Sequence, residues 1–110
     1  MPMFSFDKSS YESRLLELLQ DKFFKTAQRN KIIAKWAAGR LGYTGESMEQ
    51  YVRNVIFSYL TVPSDRKMID RILTDFQKAN IQISEDDIRD KVRSIEIRIK
   101  NKAEISENAS

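Results

Sequence analysis

Apolar residues recur every three or four positions over most of the first forty residues of this sequence. They are Tyr11, Leu15, Leu18, Leu19, Phe23, Ala27, Ala34, Ala37 and Leu41. This spacing places all of them on one side of an α-helix, and Gly42 follows where a left-handed C-cap is expected. A helix of that length is long for a small domain. We therefore expect either a break in it or an N-terminal part that lies loose in solution.

Two further helices follow at similar spacing. The second begins after Gly45 and stops before Pro63, because the residue that precedes a proline avoids helical geometry. Either Ser64 or Asp65 can cap the third helix, and Asn80 is a plausible left-handed stop at its end. Each of these helices carries an apolar stripe on one side only, so each must bury that stripe against its neighbours.

A fourth helix opens at Ser84, with Asp87 three residues later in a variant of the capping box. The apolar segment 81–83 before it is too short to form a sheet and is expected to be an extended link. The short connections favour antiparallel neighbours. The sequence therefore predicts an all-α fold: a single domain over residues 1–110, built as a compact four-helix bundle with a long or broken first helix. Its parts are an N-terminal arm (1–19), the bundle (20–103) and a frayed tail (104–110).

Composition excludes several classes of function. The chain has no histidine and no cysteine, so the common metal sites and nucleophilic triads are unavailable. The tight acidic cluster 85–87 sits at a helix start, where negative charge favours the helix dipole. We assign no catalytic residue, metal ligand or cofactor and expect no enzyme activity. No apolar run is long enough to span a membrane, and the lack of cysteine fits a cytoplasmic protein.

The stretch from Lys22 to Gly45 carries six basic residues and no acidic one. A solvated basic face behind a packed stripe, with Trp36 in the core, explains this pattern. The alternative is a nucleotide- or nucleic-acid-binding face, although a net charge of +3 makes nucleic acid a poor candidate. Asn30 lies near the apolar stripe, where its amide needs a hydrogen-bond partner.

The same stretch resembles a known family. The block from Ala27 to Ala38 reads A-Q-R-N-K-I-I-A-K-W-A-A, and Leu41-Gly42 and Gly45 follow it. It is similar to the signature of the zeta-subunit family of alphaproteobacterial F-type ATP synthase inhibitors, formerly a domain of unknown function. Trp36, Gly42 and Gly45 would be structural positions of that signature.

The resemblance implies a four-helix bundle with a mobile inhibitory arm. Such an arm would insert between the alpha, beta and gamma subunits of the catalytic head and block rotation in the direction of ATP hydrolysis. Its partner-binding residues here would be Phe4, Phe6, Asp7, Tyr11, Glu12, Arg14, Leu15 and Leu18. The resemblance also implies adenine-nucleotide binding to the bundle, for which Arg29, Asn30, Lys31 and Lys35 are the candidates. Through the synthase, the protein would be peripheral on the inner membrane.

This sequence departs from the family pattern in two places. Gln28 replaces an arginine of the signature block, and Ala34 replaces a glycine. The arm is leucine-rich and carries Lys8 and Arg14, whereas family arms are acidic and rich in small residues. Leucines that pack the arm back on the bundle would weaken inhibition, and a free arm would preserve it.

Overall fold

The computed structural model describes the backbone of residues 2–109 and the side chains of residues 11–103. Four helices account for nearly all of it: α1 (Pro2–Arg40), α2 (Gly45–Thr61), α3 (Asp65–Lys78) and α4 (Glu85–Ala109). Residues 2–109 contain no strand. The predicted all-α fold with four helices is confirmed. Helix α4 continues to Ala109, within the segment 104–110 that the sequence predicts to be a frayed tail, and the side chains of that tail lie outside the described residues.

Helix α1 is continuous, so the break considered from its length is not present. The sequence between Ser10 and Ala38 contains neither glycine nor proline, the residues at which sharp kinks usually occur. Every side chain from residue 11 to residue 25 is exposed, whereas the apolar side chains of α1 after Arg29 are buried or partly buried. Helix α1 therefore enters the bundle with its C-terminal part, and residues 11–20 project beyond it. Residues 21–25 are exposed at the edge of the bundle, where several of them line grooves with α2 and α4.

The C-terminal ends of α1 and α3 use the same left-handed device. Gly42 has φ +87° and Asn80 has φ +58°. The residue after each donates its backbone N–H back into the helix, from Tyr43 to Ala38 and from Ile81 to Phe76, both at 2.9 Å. This is the Schellman arrangement, which satisfies carbonyl groups that the helix leaves unpaired.

The N-termini of α3 and α4 are capped by serine side chains. Ser64 Oγ accepts a hydrogen bond from the backbone N–H of Lys67 at 3.2 Å. Ser84 Oγ accepts from the backbone N–H of Asp87, and the Asp87 carboxylate accepts from the backbone N–H of Ser84, both at 3.1 Å. The capping box predicted at Ser84 is thus confirmed, and the negative charge of Asp87 also favours the helix dipole.

All four helices contribute to one core. Helix α1 packs against α2 and α4, and α3 packs against the same two helices. The buried apolar residues are Ile33, Ala34, Ala37, Ala38, Tyr51, Val52, Val55, Met68, Ile69, Ile72, Phe76, Ile88, Val92 and Ile95. Trp36, predicted to lie in the core, is only partly buried and packs edge-on against the core residue Phe76, with 5.5 Å between ring centroids. Its partners hold it at the edge of the core, half-buried.

Candidate functional site

The projecting part of α1 carries an apolar stripe that no other described residue covers. We call Tyr11, Leu15, Leu18, Leu19 and Phe23 the arm stripe; all five are exposed large apolar side chains. On the helical wheel they lie on the same side as Ile33 and Ala37, which face the core. The arm stripe is therefore the core-facing side of α1 continued past the end of the bundle, where apolar side chains meet solvent.

The residues predicted to bind a partner fall into two groups. Tyr11, Leu15 and Leu18 belong to the arm stripe, and Glu12 and Arg14 beside them are exposed too. The side chains of Phe4, Phe6 and Asp7 lie outside the described residues. Of the two alternatives for the leucine-rich arm, packing back on the bundle is not observed for residues 11–20, all of which are exposed.

At the root of the arm, Arg29 is the centre of a polar cluster that joins all four helices. Its guanidinium donates to both Asp65 carboxylate oxygens, from Nη1 to Oδ2 at 3.1 Å and from Nη2 to Oδ1 at 2.7 Å. Nη1 also donates to Glu96 Oε1 at 2.7 Å. Nε and Nη2 donate to Asn30 Oδ1 at 3.1 and 2.9 Å. The Tyr59 hydroxyl donates to Asp65 Oδ1 at 2.9 Å.

The electrostatics of this Arg29 cluster keep the arginine and Asp65 charged. Burial lowers the pKa of Arg29, but hydrogen bonds to Asp65 and Glu96 raise it, and the net pKa lies above its ordinary value. The hydrogen bond from Arg29 holds the pKa of Asp65 below its usual range, against the opposing effect of burial. The Arg29 side chain is 8% exposed, whereas those of Asp65 and Glu96 are about half exposed. A buried cation is thus neutralised by two carboxylates that remain in contact with water.

The four candidates for nucleotide binding do not converge. Arg29 and Asn30 point into the bundle and are engaged with each other and with the carboxylates. Lys31 and Lys35 are exposed on the outer side of α1. The sequence predicts that the Asn30 amide needs a hydrogen-bond partner, and in the structure its oxygen accepts from the neighbouring Arg29. Sequence reasoning missed Tyr59, Asp65 and Glu96 as members of this cluster because nothing in the local pattern around them indicates Arg29.

A groove with several basic residues lies at the root of the arm, next to the Arg29 cluster, and Arg29 and Glu96 form part of its lining. Lys22 and Lys25 of α1 and Lys100 of α4 line this groove of about 480 Å³ between the two helices. Asp21 lies in the same groove and pairs with Lys25 at 3.0 Å. Lys100 is not apparent from the basic run in α1, because α4 brings it there from a distant part of the sequence.

Two kinds of site are absent from the part of the chain that the structure describes. Its side chains form no group of three residues able to hold a metal ion. None of its helices is long and apolar enough to cross a membrane.

Comparison with known families identifies the family to which most of this chain is similar. The family model for ATPase inhibitor subunit zeta matches residues 1–102. The chain belongs to the ATPase inhibitor subunit zeta family. No curated protein and no solved structure matches it. The match spans the arm stripe and the Arg29 cluster, and the resemblance inferred from the block Ala27–Ala38 is confirmed. As a zeta-family member, the chain has the regulatory role of an ATPase inhibitor subunit.

Within this zeta chain, the signature residues have structural tasks. Trp36 packs on Phe76, and Gly42 and Gly45 adopt positive φ at the turn between α1 and α2. Arg29 and Asn30 link the root of the arm to the rest of the bundle. The signature thus describes how α1 is held, and the arm stripe lies N-terminal to it.

Proposed function

We propose that this zeta chain binds the catalytic head of the F-type ATP synthase and inhibits ATP hydrolysis by inserting its N-terminal arm between the alpha, beta and gamma subunits. The observation that carries the proposal is the arm stripe, a row of exposed apolar side chains on a helix that projects from the bundle. Contiguous exposed apolar surface of this kind marks an interaction site. Association with the synthase would place the chain at the cytoplasmic side of the inner membrane.

The energetics of such an insertion are favourable. Burying one leucine or phenylalanine side chain contributes about 1.5–3 kcal/mol, and the arm stripe offers five large apolar residues. Residues 11–19 are already helical in this chain, so binding does not have to supply the entropy of forming that part of the helix.

An inserted arm that blocks rotation must also be held rigidly by the bundle. The Arg29 cluster ties α1 to the first turn of α3 through Asp65 and to α4 through Glu96. These links are hydrogen-bonded ion pairs, the strongest class of polar side-chain contact. They lie one to two helical turns from Phe23, at the level where the arm leaves the bundle. A load on the arm would therefore be shared by the other helices.

The proposal is tested by measuring ATP hydrolysis by purified ATP synthase with added zeta chain. The wild-type chain should lower the rate, and Leu15→Asp/Leu19→Asp should not, because two charges would have to be buried. The matched control is Ser13→Asp/Gln20→Asp, which adds the same two charges at exposed positions of the arm outside the arm stripe. In an α-helix Gln20 points about 100° away from Leu19. Equal inhibition by the arm-stripe variant and the control would rule out the arm as the inhibitory part.

A second candidate function is adenine-nucleotide binding to the basic face of α1. It is supported by the exposed Lys31 and Lys35 and by the groove that Lys22, Lys25 and Lys100 line. A groove of about 480 Å³ is within the usual size range of small-ligand sites. ATP titration by calorimetry should show binding that weakens with salt. Loss in Lys31→Glu/Lys35→Glu would assign it to the outer face, and loss in Lys22→Glu/Lys25→Glu to the groove; no binding by the wild type would exclude both.

A further inference from the structure

An apolar groove lies between α1 and α2, directly below the arm. We call it the root groove; its volume is about 150 Å³ and it is lined by Phe23, Thr26, Ala27, Asn30, Ile56, Tyr59, Leu60 and Pro63. None of these residues carries a formal charge. Leu60 at its edge is 54% exposed, and Phe57, one helical turn earlier in α2, is 69% exposed. The bundle itself therefore carries exposed apolar side chains at the edge of the root groove, at Leu60, and one helical turn away, at Phe57.

We propose that the root groove receives a bulky apolar side chain from the surface of the ATP synthase catalytic head, so that the bundle supplies a second contact beside the arm. This inference rests on the proposed function, because it takes the same enzyme as the partner. It adds an anchoring contact in the bundle to the insertion of the arm.

The chemistry of the lining favours an apolar side chain over a polar one. The Asn30 amide oxygen already accepts hydrogen bonds from Arg29, and the Tyr59 hydroxyl donates to Asp65. These two groups are thus already engaged, and the lining contains no charged side chain that could pair with a charged ligand. A charged group placed there would lose water without gaining a counter-charge. The volume of about 150 Å³ matches an apolar cavity that accepts a benzene ring.

The position of Phe23 favours the ATP synthase over a second copy of the chain. Phe23 belongs both to the arm stripe and to the root groove. From Leu15 to Phe23 the helix rises about 12 Å, at 1.5 Å per residue. A partner surface that covers the arm stripe therefore also reaches the root groove, because Phe23 makes the two apolar regions continuous. The family is one of ATPase inhibitor subunits, so the surface expected on the arm stripe is that of the ATPase.

The test replaces the groove edge and leaves the arm stripe intact. In the full chain, Phe57→Ser/Leu60→Ser is compared with wild type and with Ile97→Ser, which alters an apolar side chain that is 53% exposed on α4. All the positions changed are exposed, so the fold should be retained, and circular dichroism checks it. Binding to purified ATP synthase is measured by biolayer interferometry. The groove variant should bind about tenfold or more weakly, which corresponds to about 1.4 kcal/mol, and the control should bind like wild type.

The possible outcomes separate this inference from the proposed function. If the arm-stripe variant loses inhibition but the groove variant binds as tightly as wild type, only the root-groove inference is wrong. If wild type does not bind the synthase, both are wrong. Light scattering after gel filtration measures the oligomeric state of wild type and of the groove variant. A wild-type dimer that becomes monomeric in the groove variant, with unchanged binding to the synthase, would assign the groove to a second copy and overturn the inference.

Discussion

The guanidinium of Arg29 and the carboxylate of Asp65 form a two-point ion pair, with N–O distances of 3.1 and 2.7 Å. The pair connects the root of the arm to the first residue of α3, which is 36 positions later in the chain. Lysine cannot reproduce this geometry, because an ammonium group lacks the planar fork that matches a carboxylate.

We expect Arg29→Lys to lower the free energy of unfolding by about 2–3 kcal/mol. The Asn30 amide oxygen loses its donor, and the contact with the Asp65 carboxylate, the Glu96 carboxylate or both is lost. Urea unfolding monitored by Trp36 fluorescence measures the change. The control is Arg40→Lys, the same substitution at an exposed position, which should change stability by less than about 0.5 kcal/mol. Equal effects at the two positions would contradict a structural role for the cluster.

The depressed pKa of Asp65 predicts a dependence of stability on acid pH. In the unfolded chain the carboxyl titrates near pH 3.9, and in the folded chain it titrates lower because of the hydrogen bond from Arg29. The unfolded state therefore binds more protons in this window. The contribution of Asp65 is present above about pH 4 and is lost as the pH falls through the folded pKa.

Thermal unfolding of wild type and Asp65→Asn between pH 3 and pH 7 tests this. The stability difference between the two should be largest at neutral pH and shrink in acid. Asp70→Asn, an exposed aspartate of the same helix, serves as the control and should keep the wild-type profile. A difference between wild type and Asp65→Asn that stays constant with pH would refute the assignment.

Gly39 and Gly42 should respond in opposite directions to the same substitution. Neither would bring a Cβ within 4 Å of another group, but only Gly42 has a positive φ, at +87°. We expect Gly42→Ala to destabilise the protein by about 1–2 kcal/mol and Gly39→Ala, inside α1, to stabilise it by about 0.5–1 kcal/mol. Chemical denaturation of both variants measures the pair. A stabilising effect of Gly42→Ala would show that the left-handed turn is not required.

The Tyr51 hydroxyl donates a hydrogen bond to Asp75 Oδ2 at 2.8 Å. We expect Tyr51→Phe to cost about 0.5–1.5 kcal/mol at neutral pH. Burial raises the pKa of Tyr51, and the hydrogen bond to Asp75 raises it further. Its contribution is therefore complete below about pH 10, the ordinary tyrosine value, and is lost as the pH rises further. Urea unfolding from pH 7 upward checks this, with the exposed Tyr11→Phe as a control that should behave like wild type.

Much of the fold could be predicted because its determinants are local. The stops at Gly42 and Asn80, the proline after α2 and the pairing of Ser84 with Asp87 each depend on residues within a few positions of one another. The possible break in α1 was suggested by its length, but the absence of glycine and proline from its middle outweighs length. Membership of the zeta family was also readable, from the block around Asn30 and Trp36.

The candidate site was less predictable. The carboxylate partners of Arg29 are 36 and 67 positions away in the sequence. Only the folded structure therefore distinguishes Arg29 from an exposed phosphate-binding arginine. Asp65 could be read locally as a helix cap, and Glu96 as a solvated residue. The root groove was hidden for the same reason, because Phe23 and Leu60 approach each other only when α1 packs on α2.

One consequence follows from the continuity of α1. Because the helix does not bend between Phe23 and Arg29, the direction in which the arm stripe points is set by how α1 sits in the bundle. Adding one residue between them would turn the stripe by about 100° and shift it by about 1.5 Å, whereas adding four would leave it only about 40° from its original direction. Insertions and deletions between Phe23 and Arg29 should thus be tolerated best when they add or remove about one helical turn, because only these keep the arm stripe facing in nearly the same direction.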